Sequence, residues 1–240
     1  MEKICKVCQK YKTIFKKEYF DRHDFCDPQD INLCKLINGC NITTQPIMET
    51  KPELDSLVHK TLIWVDWGDN DTKDLKQIWE NTPNLEIVRI SDWNEESQFL
   101  VETKIEQEHG LLILCGHGTE HGLLAPKSYS EYIVHEMNVQ KIKAKYILGV
   151  FCYAAEFAQK NNLHGLFSSM FVSNVEEAVN YSLKPDQDYI KKGNSTIFHE
   201  LNKLLRGEYS FYNCQKSLEN LSFDNYNEIT NFNADGFLLM

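Results

Sequence analysis

Two apolar runs that each end in a reactive side chain constrain this chain most. The first reads Gly110-Leu-Leu-Ile-Leu-Cys-Gly-His-Gly118 and the second Tyr146-Ile-Leu-Gly-Val-Phe-Cys152. Neither alternates with polar residues, so neither has a face to offer to solvent. Each reads as a parallel strand covered on both sides. Residues 61–66 and 85–90 show the same character before them, and residues 165–172 after them. Helix signals fall between the runs. Asp71 or Thr72 can cap a helix stopped by Pro83, and Asp92 or Asn94 can cap one that closes near His109 and Gly110. A short helix is expected over residues 154–161, and Asn174 can cap another. Strands alternating with helices predict a three-layer α/β fold with a mainly parallel sheet.

Three stretches depart from that alternation. Residues 119–137, with Gly122, Pro126 and the alternation Glu131-Tyr-Ile-Val-His135, read as a surface hairpin or loop. Residues 184–194 are polar and rich in breakers, which predicts a mobile loop with Lys191 and Lys192 as candidate processing points. After it, Ser195 or Thr196 opens an amphipathic helix ended by Gly207. A further helix is expected at about residues 212–221, and residues 235–240 are apolar enough to dock as a final strand.

Cysteine placement divides the chain. Cys5, Cys8, Cys26, Cys34 and Cys40 crowd the start, whereas Cys115, Cys152 and Cys214 are scattered. The expected organisation is a cysteine-rich segment over residues 1–45, a linker over 46–60 containing Pro46 and Pro52, and the α/β body over 61–240. Cys5-x2-Cys8 followed by His23-x2-Cys26 has the paired-ligand spacing of a structural Cys3His zinc site. Cys34 and Cys40 could replace His23 or bind separately. So short a segment has too little core to fold unaided, and metal would supply the missing stability. The alternative is a set of ordinary reduced cysteines.

The formal net charge of -10 argues against nucleic acid as a partner and against an anionic membrane surface. No run is long enough for a membrane span, and the start of the chain lacks the apolar core of a signal peptide. The expectation is a cytoplasmic protein with reduced thiols.

Open α/β sheets place their sites at the carboxyl ends of strands. A thiol and an imidazole meeting there make a nucleophile and its base. His117 can take the proton of Cys152 and return it to a leaving amine. Backbone N–H donors at Gly118 and Cys152 could hold the oxyanion, and a helix starting after Cys152 would lower the thiol pKa.

The pattern of Leu-Leu-Ile-Leu-Cys-Gly-His117-Gly118 and Leu-Gly-Val-Phe-Cys152-Tyr-Ala-Ala-Glu156 resembles the caspase-like cysteine peptidases. That group includes caspases, metacaspases, separase, gingipain, clostripain and the bacterial CHAT peptidases, and the likeness is to the CHAT type above all. It covers residues 61–179. The resemblance implies a caspase-like fold and an endopeptidase working by a dyad, with Cys152 as nucleophile and His117 as general base and acid. It implies Gly118 and Cys152 amides as oxyanion donors, and no metal or cofactor in catalysis. It further implies a protein or peptide substrate, an activating or regulatory protein partner, and a regulated role in bacterial defence or cell death. One departure stands out. Caspases and metacaspases carry a polar or acidic residue two positions before the cysteine, where this chain has Val150. Asp66 at the end of the first strand could supply an acidic pocket wall instead, while Asp69 and Asp71 read as loop and cap residues. The alternative function is a catalytically inactive adaptor with a zinc-binding segment. A flavodoxin-like or receiver-like domain is a third reading, weakened because no glycine-rich phosphate loop follows the first strand.

Overall fold

Apolar side chains at both odd and even positions of the strands produce one sheet with a core on each face. The computed structural model describes residues 59–224 and 227–240. In chain order it contains β1 (Lys60–Val65), α1 (Asn70–Asp74) running into a 3-10 turn (Leu75–Ile78), β2 (Leu85–Ile90), α2 (Glu95–Ile105) and β3 (Leu111–Cys115). Three short strands follow, β4 (Gly118–Thr119), β5 (Gly122–Leu124) and β6 (Tyr132–His135). Then come β7 (Tyr146–Val150), α3 (Ala154–Asn161), β8 (Gly165–Ser168), α4 (Val175–Asn180), α5 (Gln187–Leu205), α6 (Phe211–Asp224), α7 (Glu228–Asp235) and β9 (Phe237–Leu239).

The main sheet has the order β2-β1-β3-β7-β8-β9. All neighbours are parallel except β9, which runs antiparallel to β8. Leu62, Trp64, Ile113, Leu148 and Leu166 face Ile197, Leu201 and Leu205 of α5 and Leu218 of α6. Their neighbours Ile63, Leu112, Leu114, Ile147 and Phe167 face Val101 and Ile105 of α2 and Phe157 of α3. Helices therefore flank the sheet on both sides, as a two-faced apolar strand requires. No helix among the described residues is long and apolar enough to cross a membrane.

The excursion over residues 119–137 is a small antiparallel sheet, β4-β5-β6. The segment read as a mobile loop over 184–194 is instead largely the first part of α5. Asp186 caps it by accepting from the Tyr189 N–H at 2.9 Å. Gly193, which reads as a breaker, is a contact point: a Cβ there would lie 2.7 Å from Asn227 Oδ1. Asn194 is buried and donates to Val172 O at 3.0 Å. Asn233 of α7 accepts from the Val172 N–H at 2.7 Å and donates to Asn194 Oδ1 at 2.8 Å. These asparagines resemble loop residues in composition, yet they satisfy one buried backbone position from two helices.

Candidate active site

β3 and β7 are neighbours, and Cys115 at the end of one pairs with Val150 at the end of the other. The ladder continues one step further, with the Gly116 N–H donating to Val150 O at 3.3 Å. His117 and Cys152 each follow two residues beyond that pair, on strands about 4.8 Å apart. Both line one narrow pocket of about 30 Å³, together with Asp71, Val150, Phe171 and Lys191.

At the β3 end, His117 Nε2 lies 2.8 Å from Asp69 Oδ2. Asp69 is the N-cap of α1, and its other oxygen accepts from the Thr72 N–H at 2.8 Å and the Thr72 hydroxyl at 2.7 Å. Burial alone would raise the Asp69 pKa. The Thr72 hydrogen bonds and the contact with His117 outweigh it and hold the carboxyl below its usual range. The Trp67 ring meets the imidazole edge-on, with centroids 4.7 Å apart.

At the β7 end, the chain turns sharply into α3. Tyr153, immediately after the cysteine, sits in the left-handed region at φ 64°. That conformation costs a non-glycine residue about 1–2 kcal/mol. The neighbouring strand holds the turn: buried Ser168 accepts from the Phe151 N–H at 3.1 Å and donates to Phe151 O at 2.8 Å, and the Tyr153 N–H donates to Ser169 O at 3.1 Å. The Cys152 thiol approaches Phe171 O at 3.6 Å. Burial, followed by the negative charges of Glu177 and Asp71, pushes the thiol up to about 12, against hydrogen bonding to the backbone at Phe171 and at Cys152 itself. The lowering expected from the following helix is therefore outweighed in this conformation.

The structure thus brings His117, Cys152 and Val150 to one pocket. It does not bring Asp66 there. Asp66 is buried and accepts from Arg89 Nε at 2.8 Å and from the Gly68 N–H at 2.9 Å, so the carboxylate is committed between β1 and β2. The acids on the pocket wall are Asp71 and Asp74. Gly118 lies beside the pocket rather than in its lining. The Leu124 N–H bonds to His117 O at 2.9 Å, and the alternating register makes Gly118 and Leu123 a non-hydrogen-bonded pair. The Gly118 amide therefore faces away from β5. A Cβ on Gly118 would lie 2.2 Å from Phe151 Cδ2, which is a packing reason for glycine at that position.

The residues missed in sequence are Asp69 as a partner of His117, Trp67, and the Ser168–Ser169 pair. Two serines closing an apolar run were the available signal for the last. Cys5, Cys8, His23 and Cys26 lie outside the described residues. Among the described residues, no group of three or more His, Cys, Asp and Glu side chains is placed to hold a metal ion. No protein-family model matches this chain, and no curated protein matches it either.

Proposed function

We propose that the body is a cysteine endopeptidase of caspase-like type, with Cys152 as nucleophile and His117 as general base and acid. The supporting observation is that both side chains follow the same register position on neighbouring parallel strands and line one pocket. The thiol proton passes to His117 as Sγ attacks the peptide carbonyl carbon and an S–C bond forms. The C–N bond then breaks, and the leaving amine takes the proton from His117. Water hydrolyses the resulting thioester and restores the thiol. A thiol with a pKa of about 12 is protonated at neutral pH, so proton transfer has to accompany attack or follow an opening of the pocket by substrate or partner.

The second reading is an inactive adaptor with the same fold. The half-buried, protonated thiol in a pocket of about 30 Å³ is what favours it.

Peptidyl acyloxymethyl ketones separate the two, with intact mass as the readout. On the peptidase reading wild type is labelled once, Cys152→Ala is not labelled, and His117→Ala reacts at least about a hundredfold more slowly. Wild-type Cys152 that stays inert across probes with acidic, basic and apolar P1 residues, even beside candidate activating partners, would sink the peptidase reading in favour of the adaptor.

A further inference from the structure

We propose that Asp69 is a positioning residue that fixes the tautomer and charge of His117, with Nε2–H held on the carboxylate and Nδ1 left as the nitrogen that accepts the thiol proton. The inference rests on the Cys–His reading above for its chemical meaning, though the Asp69–His117 coupling can be measured without it. A carboxylate only accepts hydrogen bonds when ionised, so the 2.8 Å contact places the imidazole proton on Nε2. Among the described residues no hydrogen bond engages His117 Nδ1. The neutral ring then has its lone pair at Nδ1, the position a general base needs. When Nδ1 gains the thiol proton, the imidazolium charge forms beside Asp69 and is offset there. The thiol proton has moved one step, from Sγ to Nδ1, and Asp69 itself stays ionised.

The surrounding structure holds the carboxylate for this task. Oδ1 is occupied by the Thr72 amide and hydroxyl, which leaves Oδ2 for the imidazole. Thr72 is buried, and its hydroxyl also accepts from the Trp67 N–H at 3.2 Å. Trp67 in turn packs edge-on against His117. The ring is thus bounded by the segment that caps α1, so one cap serves both the helix start and the imidazole. The low pKa of Asp69 keeps it charged at neutral pH. The charged side chains lining the pocket are Asp71 and Asp74 of α1 and Lys191 of α5, the last two paired at 3.6 Å. Asp74 and Lys191 offset one another, Asp71 is bonded to Asn174 at 2.9 Å, and Asp69 alone touches the ring.

Asp69→Asn and Asp69→Ser test this, because Asn and Ser both retain a capping oxygen for α1. The readouts are the ¹⁵N shifts of the His117 ring in the full chain, which report its tautomer, and the rate at which Cys152 takes a peptidyl acyloxymethyl ketone. The expected result is an Nε2–H tautomer in wild type, a shift toward Nδ1–H in Asp69→Asn, and labelling slowed at least about tenfold in both variants. The same NMR changes in a protein whose wild-type Cys152 is inert would support the positioning of His117 while overturning the peptidase reading. A His117 tautomer indifferent to both substitutions overturns the proposal whatever Cys152 does, and so does an unchanged labelling rate in an active protein.

Discussion

β3 and β7 stop in register, yet the two strand ends are finished in opposite ways. His117 is partly open to solvent, is held by a charged acid, and has one nitrogen unengaged among the described residues. Cys152 leaves its strand through a strained turn, sets its thiol against Phe171 O, and is kept protonated by burial and by nearby carboxylates. The base end is organised for proton transfer, while the nucleophile end is withheld. Burial of a thiol costs little, whereas burial of a thiolate costs much. The resting pocket therefore favours the inert form of the nucleophile, and a ligand that opens it would shift that balance. Control of such a site falls on the cysteine side.

The largest expected effect comes from joining the two ends too tightly. Gly118→Ala places a Cβ against the Phe151 ring and Gly122 O, and neither the buried ring nor the paired strand has room to give. Urea denaturation should show a loss of about 1–3 kcal/mol. Unchanged stability would mean that the ends are not in close contact through Phe151.

A second test addresses the withheld thiol. Cys152 is raised to about 12, whereas an unfolded thiol titrates near about 8.5. Above that lower value the unfolded chain releases a proton that the folded chain retains, so stability falls as pH rises, by up to about 1.4 kcal/mol per pH unit for each such thiol. Cys115 and Cys214, also raised by burial, add to the slope. Cys152→Ala should remove one proton's share of it in denaturation curves taken at about pH 9 and about pH 10. An identical slope in wild type and variant would mean that the thiol ionises as readily folded as unfolded, and the contrast between the ends would disappear.

The smallest effect is expected at the turn itself. Tyr153→Gly relieves the left-handed conformation but frees the unfolded chain, so stability should change by less than about 1 kcal/mol. Tyr153→Val, with a branched Cβ in the same conformation, should lose about 1–2 kcal/mol by comparison. Equal stability for the two variants would show that the turn relaxes and that the cysteine end is less constrained than the φ of Tyr153 implies.

How much of this was legible in the sequence depends on the range of the interaction. Leu85–Ile90, Leu111–Cys115 and Ala154–Asn161 are readable residue by residue, because apolar strands and a short amphipathic helix are written in local apolar pattern. α7 was missed, and the start of α5 was misread, because Asn194 and Asn233 look like loop residues until Val172 is brought between them. At the site, His117 and Cys152 stand out because each closes an apolar run. The cap read at Asp71 or Thr72 is Asp69 instead, because its carboxylate reaches the Thr72 N–H, and its contact with His117 spans 48 residues and has no local signature. Asp66 could be read as a pocket wall only while Arg89, 23 residues later, was not seen to claim it.

The last strand has a consequence for the order in which the chain is made. Ser168 pairs with Phe237 of β9, the Ser169 N–H donates to Gly236 O at 2.7 Å, and the Phe237 ring packs edge-on against Phe171. Ser168 and Phe171 are the residues against which the cysteine turn and its thiol rest. On a ribosome, β1, α1 and β3 emerge long before residues 236–239, so Asp69 and His117 can meet while the seat of Cys152 still lacks its outer support. Completion of the nucleophile's surroundings thereby waits for residues 236–239, and the nascent chain carries its base well before its thiol is fully seated.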